Sequence, residues 1–256
     1  MIKISNAQLK LAQKLKQKKY RSELGLFVAE GLRLCEMVTD FNKIEFGFFT
    51  PEILSDERAK NLIARLREKT QMNEIPSVGF RKISDTQTPQ GILLVVRQKI
   101  FSLEEATKKN LIVALDGVQD PGNVGTISRT VEAFGGSLIL LEGSADIFNP
   151  KVVRSSMGAI FNLPIVEMSR KNFLSSIKFC GAKIVAAALD SSAEIYFKHD
   201  FTKKTVVVFG NEGSGVSQEI LKESKKIFIP MSGMAESLNV ATSAAIIISE
   251  FVRQNF

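Results

Sequence analysis

From residue 111 onward the chain runs strand, turn, helix in repetition, and its apolar runs at 111–115, 138–141, 184–188 and 206–209 are too continuous for strands with one wet face. Strands of that kind are buried on both sides, as in a parallel sheet covered by helices, so this half is expected to be an α/β domain. In such sheets ligands bind beyond the carboxyl ends of the strands, and two of these ends carry unusual loops. The first reads L-D-G-V-Q-D-P-G-N-V-G-T-I-S-R. Asp120, Pro121 and Gly122 make a turn, Asn123 is expected to cap the following helix, and Arg129 falls about a turn and a half into it. The second, G-N-E-G-S-G-V-S, begins at Gly210. Its glycines Gly210, Gly213 and Gly215 fit neither G-x-G-x-x-G nor G-x-x-x-x-G-K-[ST], and Glu212 would repel a phosphate, which argues against a nucleoside triphosphate. A ligand with a positive centre, or with hydroxyl and amine donors, suits this loop better; as a loop by itself it is a glycine-rich chain reversal.

A third stretch, residues 229–253, changes character midway. Its first half is small, polar and flexible (Ser232, Gly233, Ala235, Ser237), suited to closing backbone groups on a ligand. From Leu238 onward Val240, Ala244, Ile247, Ile248, Phe251 and Val252 recur at helical spacing, which predicts a largely buried helix with Ser237 as a candidate N-cap.

The first part of the chain forms a separate α/β pattern over about residues 22–97, with strands at 26–29, 44–49 and 91–96 and helices at 31–38 and 55–69. Its glycines (Gly25, Gly31, Gly47, Gly79, Gly91) read as turns and helix entries, and no carboxylate pair stands in a catalytic setting, so a binding role is expected. The polar stretch around residues 98–110 carries no strand pattern and reads as a linker between a first domain, 1–97, and a second, 111–256.

The formal charge of +7 is localised. Residues 1–21 hold six lysines, one arginine and no acid, whereas 22–100 hold eleven basic and eleven acidic residues and 101–256 sixteen of each. Ala7, Leu11 and Leu15 form an apolar stripe beside a basic one of Lys10, Lys14 and Lys18, as in a docked helix facing an anion such as RNA; Arg21 closes the segment. With two cysteines far apart and a single histidine, His199, read as a surface residue, the sequence offers no zinc or haem cluster. Its apolar runs are far below the ~20 residues of a bilayer span, and no secretory leader opens it, so a cytoplasmic location is expected.

The three loops together resemble the SpoU-type RNA ribose 2′-O-methyltransferases. The segment N-V-G-T-I-S-R (residues 123–129), G-N-E-G-S-G (210–215) and S-L-N-V (237–240) match that family's three motifs in order and spacing. The segment N-P-K-V-V-R-S-S-M-G-A-I-F (149–161) is similar to the stretch between the first two, and the first domain, including F-V-A-E-G-L-R-L (27–34), resembles the ribosomal-protein-like RNA-binding domain of members that modify ribosomal RNA.

The resemblance implies a C-terminal trefoil-knotted methyltransferase domain, a homodimer with composite active sites, and S-adenosylmethionine as cofactor. It places the cofactor among Gly210, Glu212, Gly213, Ile229, Met231, Ser237 and Leu238, and assigns Asn123, Arg129, Glu212, Ser237 and Asn239 to catalysis or its support. RNA contacts would fall on Lys10, Lys14, Lys18, Arg21, Arg129 and Arg154. No metal is needed, because the methyl donor is already activated. Thr130, Val131 and Glu132 depart from the family's pattern, as does Asn162 where arginine is expected, and Asn162 bears on RNA contacts. The expected substrate is ribosomal RNA, with transfer RNA, a base instead of a ribose target, and a non-catalytic assembly role as the alternatives.

Overall fold

The computed structural model describes residues 6–38 and 44–255. Lys3 of the basic segment lies outside the described residues. Two compact units result: Met1–Lys99 with Asp146–Phe161, hereafter unit 1, and Ile100–Ala145 with Asn162–Phe256, unit 2. In chain order the elements begin with α1 (Asn6–Lys14), α2 (Lys18–Leu24), β1 (Leu26–Glu30), α3 (Leu32–Val38), β2 (Ile44–Phe49), a 3-10 turn (Pro51–Ser55), α4 (Glu57–Arg67), β3 (Gln71–Glu74), α5 (Ser77–Ile83) and β4 (Ile92–Arg97). They continue with α6 (Leu103–Thr107), β5 (Leu111–Asp116), α7 (Pro121–Ala133), β6 (Ser137–Leu141) and α8 (Pro150–Ser155). Then come β7 (Ile165–Met168), α9 (Arg170–Cys180), β8 (Lys183–Ala187), β9 (Glu194–Ile195), β10 (Thr205–Gly210), α10 (Gln218–Leu221), β11 (Lys225–Phe228) and α11 (Val240–Asn255).

In unit 1 the strands lie in the order β1-β4-β2-β3, with β4 antiparallel to both neighbours and β3 parallel to β2. One face packs Val28, Phe46, Phe48, Leu93 and Val95 against Phe80 of α5 and against Ala12 and Leu15 of the N-terminal segment. The basic segment is therefore part of the core. It is two helices, broken where Gln17 is extended, and its inward face is Leu11, Ala12 and Leu15, while Ala7 is exposed. Arg21 does not face solvent as the sequence suggested: only 2% of it is exposed. Its Nε and Nη2 donate to Asp146 Oδ2 at 2.9 and 2.5 Å, and Nη1 donates to the carbonyls of Leu15 and Lys16 at 2.8 Å each, satisfying the break between the helices. Lys16 Nζ donates to Ser84 O. Gly47 lies within β2 and Gly79 within α5, so neither is a turn.

Segment Asp146–Phe161 joins unit 1, although the sequence boundary assigns it to the second domain. The cause is aromatic packing: Phe148 and Phe161 lie 4.9 and 6.0 Å from the Phe27 ring, and Arg21 binds Asp146. The stretch read as a linker contains α6, closed by a capping box between Ser102 and Glu105.

Unit 2 is built on a sheet in the order β7-β6-β5-β10-β8-β11-β9, parallel at every pairing. Ile112, Ala114, Ile139, Val206 and Val208 pack under Phe173 and Ile177 of α9, and on another side α11 packs on α7. His199 is buried, with Nδ1 2.5 Å from Glu194 Oε1 and its ring edge-on to Phe201, which corrects the surface reading. Among the described residues no helix is long and apolar enough to cross a membrane.

Candidate active site

Strands β5 and β10 are neighbours in register, with Gly210 opposite Asp116, so the loops that follow them leave the sheet side by side. Their side chains interlock. The buried Asp116 carboxylate accepts from Arg170 Nε at 2.6 Å and from Ser217 N at 2.7 Å. Asn211 donates through Nδ2 to Gly117 O at 2.9 Å, while its Oδ1 receives the amides of Gly213 and Ser214. A Cβ on Gly210 would run into the backbone of Gly215 and Val216, so the tight return of this loop requires glycine there.

Helix α7 starts earlier than the sequence suggested. Asp120, not Asn123, caps it by accepting from Gly122 N at 2.6 Å, and Pro121 takes the first position, where no amide is needed. Asn123 is thereby moved into the first turn, where its side chain is free to bridge. Its Nδ2 donates to Glu212 Oε1 at 2.9 Å and its Oδ1 accepts from Asn239 Nδ2 at 3.0 Å. Glu212 also accepts from the amides of Gln119 and Asp120 at 3.2 Å each. Burial opposes the charge on Glu212, but the donors from Asn123 and these amides outweigh it and hold the carboxyl below its ordinary range. Glu212 therefore carries its negative charge throughout the neutral range.

The third loop joins this line from the other side. Asn239 Oδ1 accepts from Ala241 N at 2.8 Å and Thr242 N at 3.3 Å, so Asn239 caps α11 and Ser237 does not. Leu238, one residue earlier, lines a cleft together with Ser237, Met231 and Ile229. Ala187, Ala188 and Leu189 at the end of β8, Ile227 and Phe228 of β11, and Ser243 and Ile247 on α11 complete it. None of its lining residues ionises. Among the described residues the backbone groups of 231–238 make no backbone hydrogen bond, so they are available to a ligand. Gly210, Glu212 and Gly213, expected around the cofactor, do not line this cleft. Conversely, Ala187 to Leu189 were missed; the end of an apolar run followed by small residues was the available signal.

Arg129 is exposed and, among the described residues, makes no hydrogen bond or ion pair. Arg154 lies in unit 1, 3.0 Å from Asp85.

Residues 110–249 match the SpoU rRNA Methylase family. The chain belongs to that family. Residues 6–94 of this SpoU family member match the MRM3-like substrate binding domain. It is 32% identical over 245 residues, 95% of each chain, to the 23S rRNA (guanosine(2553)-2′-O)-methyltransferase of Bacillus subtilis. Its fold is similar to that of an AdoMet-bound rRNA methyltransferase from Sinorhizobium meliloti, with a TM-score of 0.87 at 29% identity, covering 100% of this chain and 98% of that one. The SpoU methyltransferase AviRb of Streptomyces viridochromogenes, solved in complex with AdoMet, is similar with a TM-score of 0.86 at 26% identity over 97% and 98% of the two chains.

Proposed function

We propose that this chain methylates a ribose 2′-hydroxyl of 23S ribosomal RNA in the cytoplasm, with S-adenosylmethionine as donor. The observation that carries the reading is the line of hydrogen bonds Asn239 to Asn123 to Glu212, which ties the three family motifs together next to Leu238, a residue of the cleft. The cleft suits this cofactor: apolar walls for a purine and a thioether-like chain, free backbone groups and Ser237 for polar ends, and no lining cation to repel a sulfonium. Ile229, Met231, Ser237 and Leu238 would hold it. When bound, the cofactor supplies a methyl group already activated for transfer.

The protein's task is then to place the acceptor oxygen, exclude water and handle one proton. Leu238 and Ile247 give the cleft apolar walls. Asn123, Glu212 and Asn239 fix the positions of the loops around it. Arg129 is suited to clamp a phosphate beside the target ribose and to stabilise developing alkoxide charge. The order of strands β5-β10-β8, with the last helix returning onto α7, supports the trefoil knot implied by the family resemblance. The outward face of α11, formed by Thr242, Ala245, Ile246, Ser249 and Val252, is uncharged and partly apolar and supports a homodimer; a monomeric mass by light scattering in an active preparation would remove that part. The reading as a whole is tested by incubating the protein with methyl-labelled cofactor and unmodified total RNA, then mapping alkali-resistant ribose positions. A single resistant position in 23S RNA is expected, and label on a base, or in transfer RNA only, would overturn it.

A further inference from the structure

Unit 1 contains a second cleft, with an empty volume of ≈ 600 Å³, lined chiefly by Thr50, Glu52, Ile53, Phe80, Arg81 and Gln90. Its walls are held in place by buried bonds. Glu30, only 6% exposed, accepts from Ser84 Oγ at 2.5 Å, Asp85 N at 2.9 Å and Thr86 Oγ1 at 2.8 Å, which fixes the loop leading into β4. Thr50 N donates to Gly91 O at 2.9 Å. Gly91 has φ +84°, and a Cβ there would lie 2.6 Å from Thr50 Oγ1, so the loop closes directly on that hydroxyl. A cleft preorganised in this way does not have to be ordered by its ligand.

Its chemistry is divided between wall and rim. The apolar wall is the half-buried Ile53 and Pro89, backed by the core residue Phe80. On the rim stands Glu52, an exposed carboxylate held below its ordinary range by its own backbone amide and the nearby hydroxyls of Thr50 and Ser77, and so negatively charged at neutral pH. Gln90 accepts from Leu32 N through Oε1 at 2.8 Å and keeps its Nε2 hydrogens as donors. Arg81 is exposed and forms no ion pair among the described residues. An apolar wall with the acceptor-only carboxylate of Glu52 and the N–H donors of Arg81 and Gln90 around it matches a flat heterocycle that carries an amine and is tethered to a phosphate.

We propose that this cleft takes one unstacked nucleotide of the RNA substrate, its base lying on Ile53 and Pro89, an exocyclic amine donating to Glu52 and a phosphate held by Arg81. Adenine, cytosine and guanine fit; uracil does not, because its single N–H is flanked by two carbonyls that would face the Glu52 carboxylate. The assignment rests on the reading of this chain as an RNA enzyme and adds to it a specificity for a nucleotide outside the methyl-transfer centre.

The test is a titration of the isotopically labelled full-length protein with the four nucleoside 5′-monophosphates, followed through backbone amide resonances. AMP, CMP and GMP are expected to shift the amides of Ile53, Gln90 and Gly91, and UMP to bind about 3- to 10-fold more weakly, the equivalent of one hydrogen bond. Glu52→Gln should erase that preference with cofactor affinity unchanged, and Ile53→Trp, which fills the cleft, should abolish the shifts. Equal binding of all four nucleotides, or no movement of these amides, would overturn the assignment. The titration requires no methyl transfer. Nucleotide binding here by a chain that methylates no RNA would uphold the cleft and remove the function, whereas an active methyltransferase with unmoved amides would do the reverse.

Discussion

Arg129 stands apart from the hydrogen bonds that join Asn123, Glu212 and Asn239: it is exposed on α7 while they are tied together beside the cleft. A guanidinium loses its proton only above about pH 12, so Arg129 is a poor proton acceptor and a good phosphate clamp. Arg129→Ala should therefore reduce single-turnover methyl transfer by about 100-fold or more, the cost of one transition-state charge interaction, with cofactor affinity measured by calorimetry unchanged. Near-normal turnover would remove Arg129 from the reaction. At this scale the sequence told which residues matter better than what each one does. Both helix starts at the site offer two capping candidates, Asp120 or Asn123 and Ser237 or Asn239, and local propensity does not choose between them. The choice is made by tertiary structure: Asn123 is drawn to Glu212 and Asn239, which leaves the cap of α7 to Asp120.

Among the elements, Asn239 has two separable duties, since one oxygen caps α11 and one amide group holds Asn123. Asn239→Asp keeps the capping oxygen at a helix end that favours negative charge, but loses the donor to Asn123 and sets a carboxylate near Glu212. It should melt close to the parent and lose methyl transfer. Asn239→Ala should lose both, with a cost of about 1 kcal/mol for the cap, or about 2–4 °C in a protein of this size by thermal melting. Equal melting of the two variants would show that the cap contributes nothing. The inner strands β5, β6, β8 and β10 were legible because they are apolar on both faces, β4 because it forms one continuous apolar run, and β2 because of its aromatic residues Phe46, Phe48 and Phe49. Strands β7 and β11 were missed because they lie toward the edges of their sheet, are only partly buried, and interrupt their apolar residues with Glu167 or with Lys225 and Lys226. Strand β3, Q-M-N-E, is an edge strand with only Met72 and Asn73 inward.

For the whole molecule, the charge excess of the first 21 residues is real, but the fold divides it between two uses. Arg21 and Lys16 are turned inward, to Asp146 and to Ser84 O, whereas Lys10, Lys14, Lys18 and Lys19 stay on the surface. Removing the whole segment would also remove Ala12 and Leu15 from the core, so it would test folding and RNA binding together. Point substitutions separate them. Arg21→Ala leaves Asp146 without its ion pair in a nearly closed site, and breaking such a pair costs about 3–5 kcal/mol, so this variant should melt early with no specific effect on RNA. Changing Lys10, Lys14, Lys18 and Lys19 together to glutamine should leave melting nearly unchanged, since their ammonium groups reach solvent. Each phosphate of single-stranded RNA that a lysine neutralises adds about 0.7 to the slope of log affinity against log salt, so taking away four such ammonium groups should flatten it by about 3. Cofactor affinity should not move, because the cleft lies in unit 2 and none of its lining residues is charged. A full salt slope in the folded quadruple variant would show that this lysine face is only solvated, and the RNA footprint would then have to be sought on the arginines of α4 or around Lys151 and Arg154.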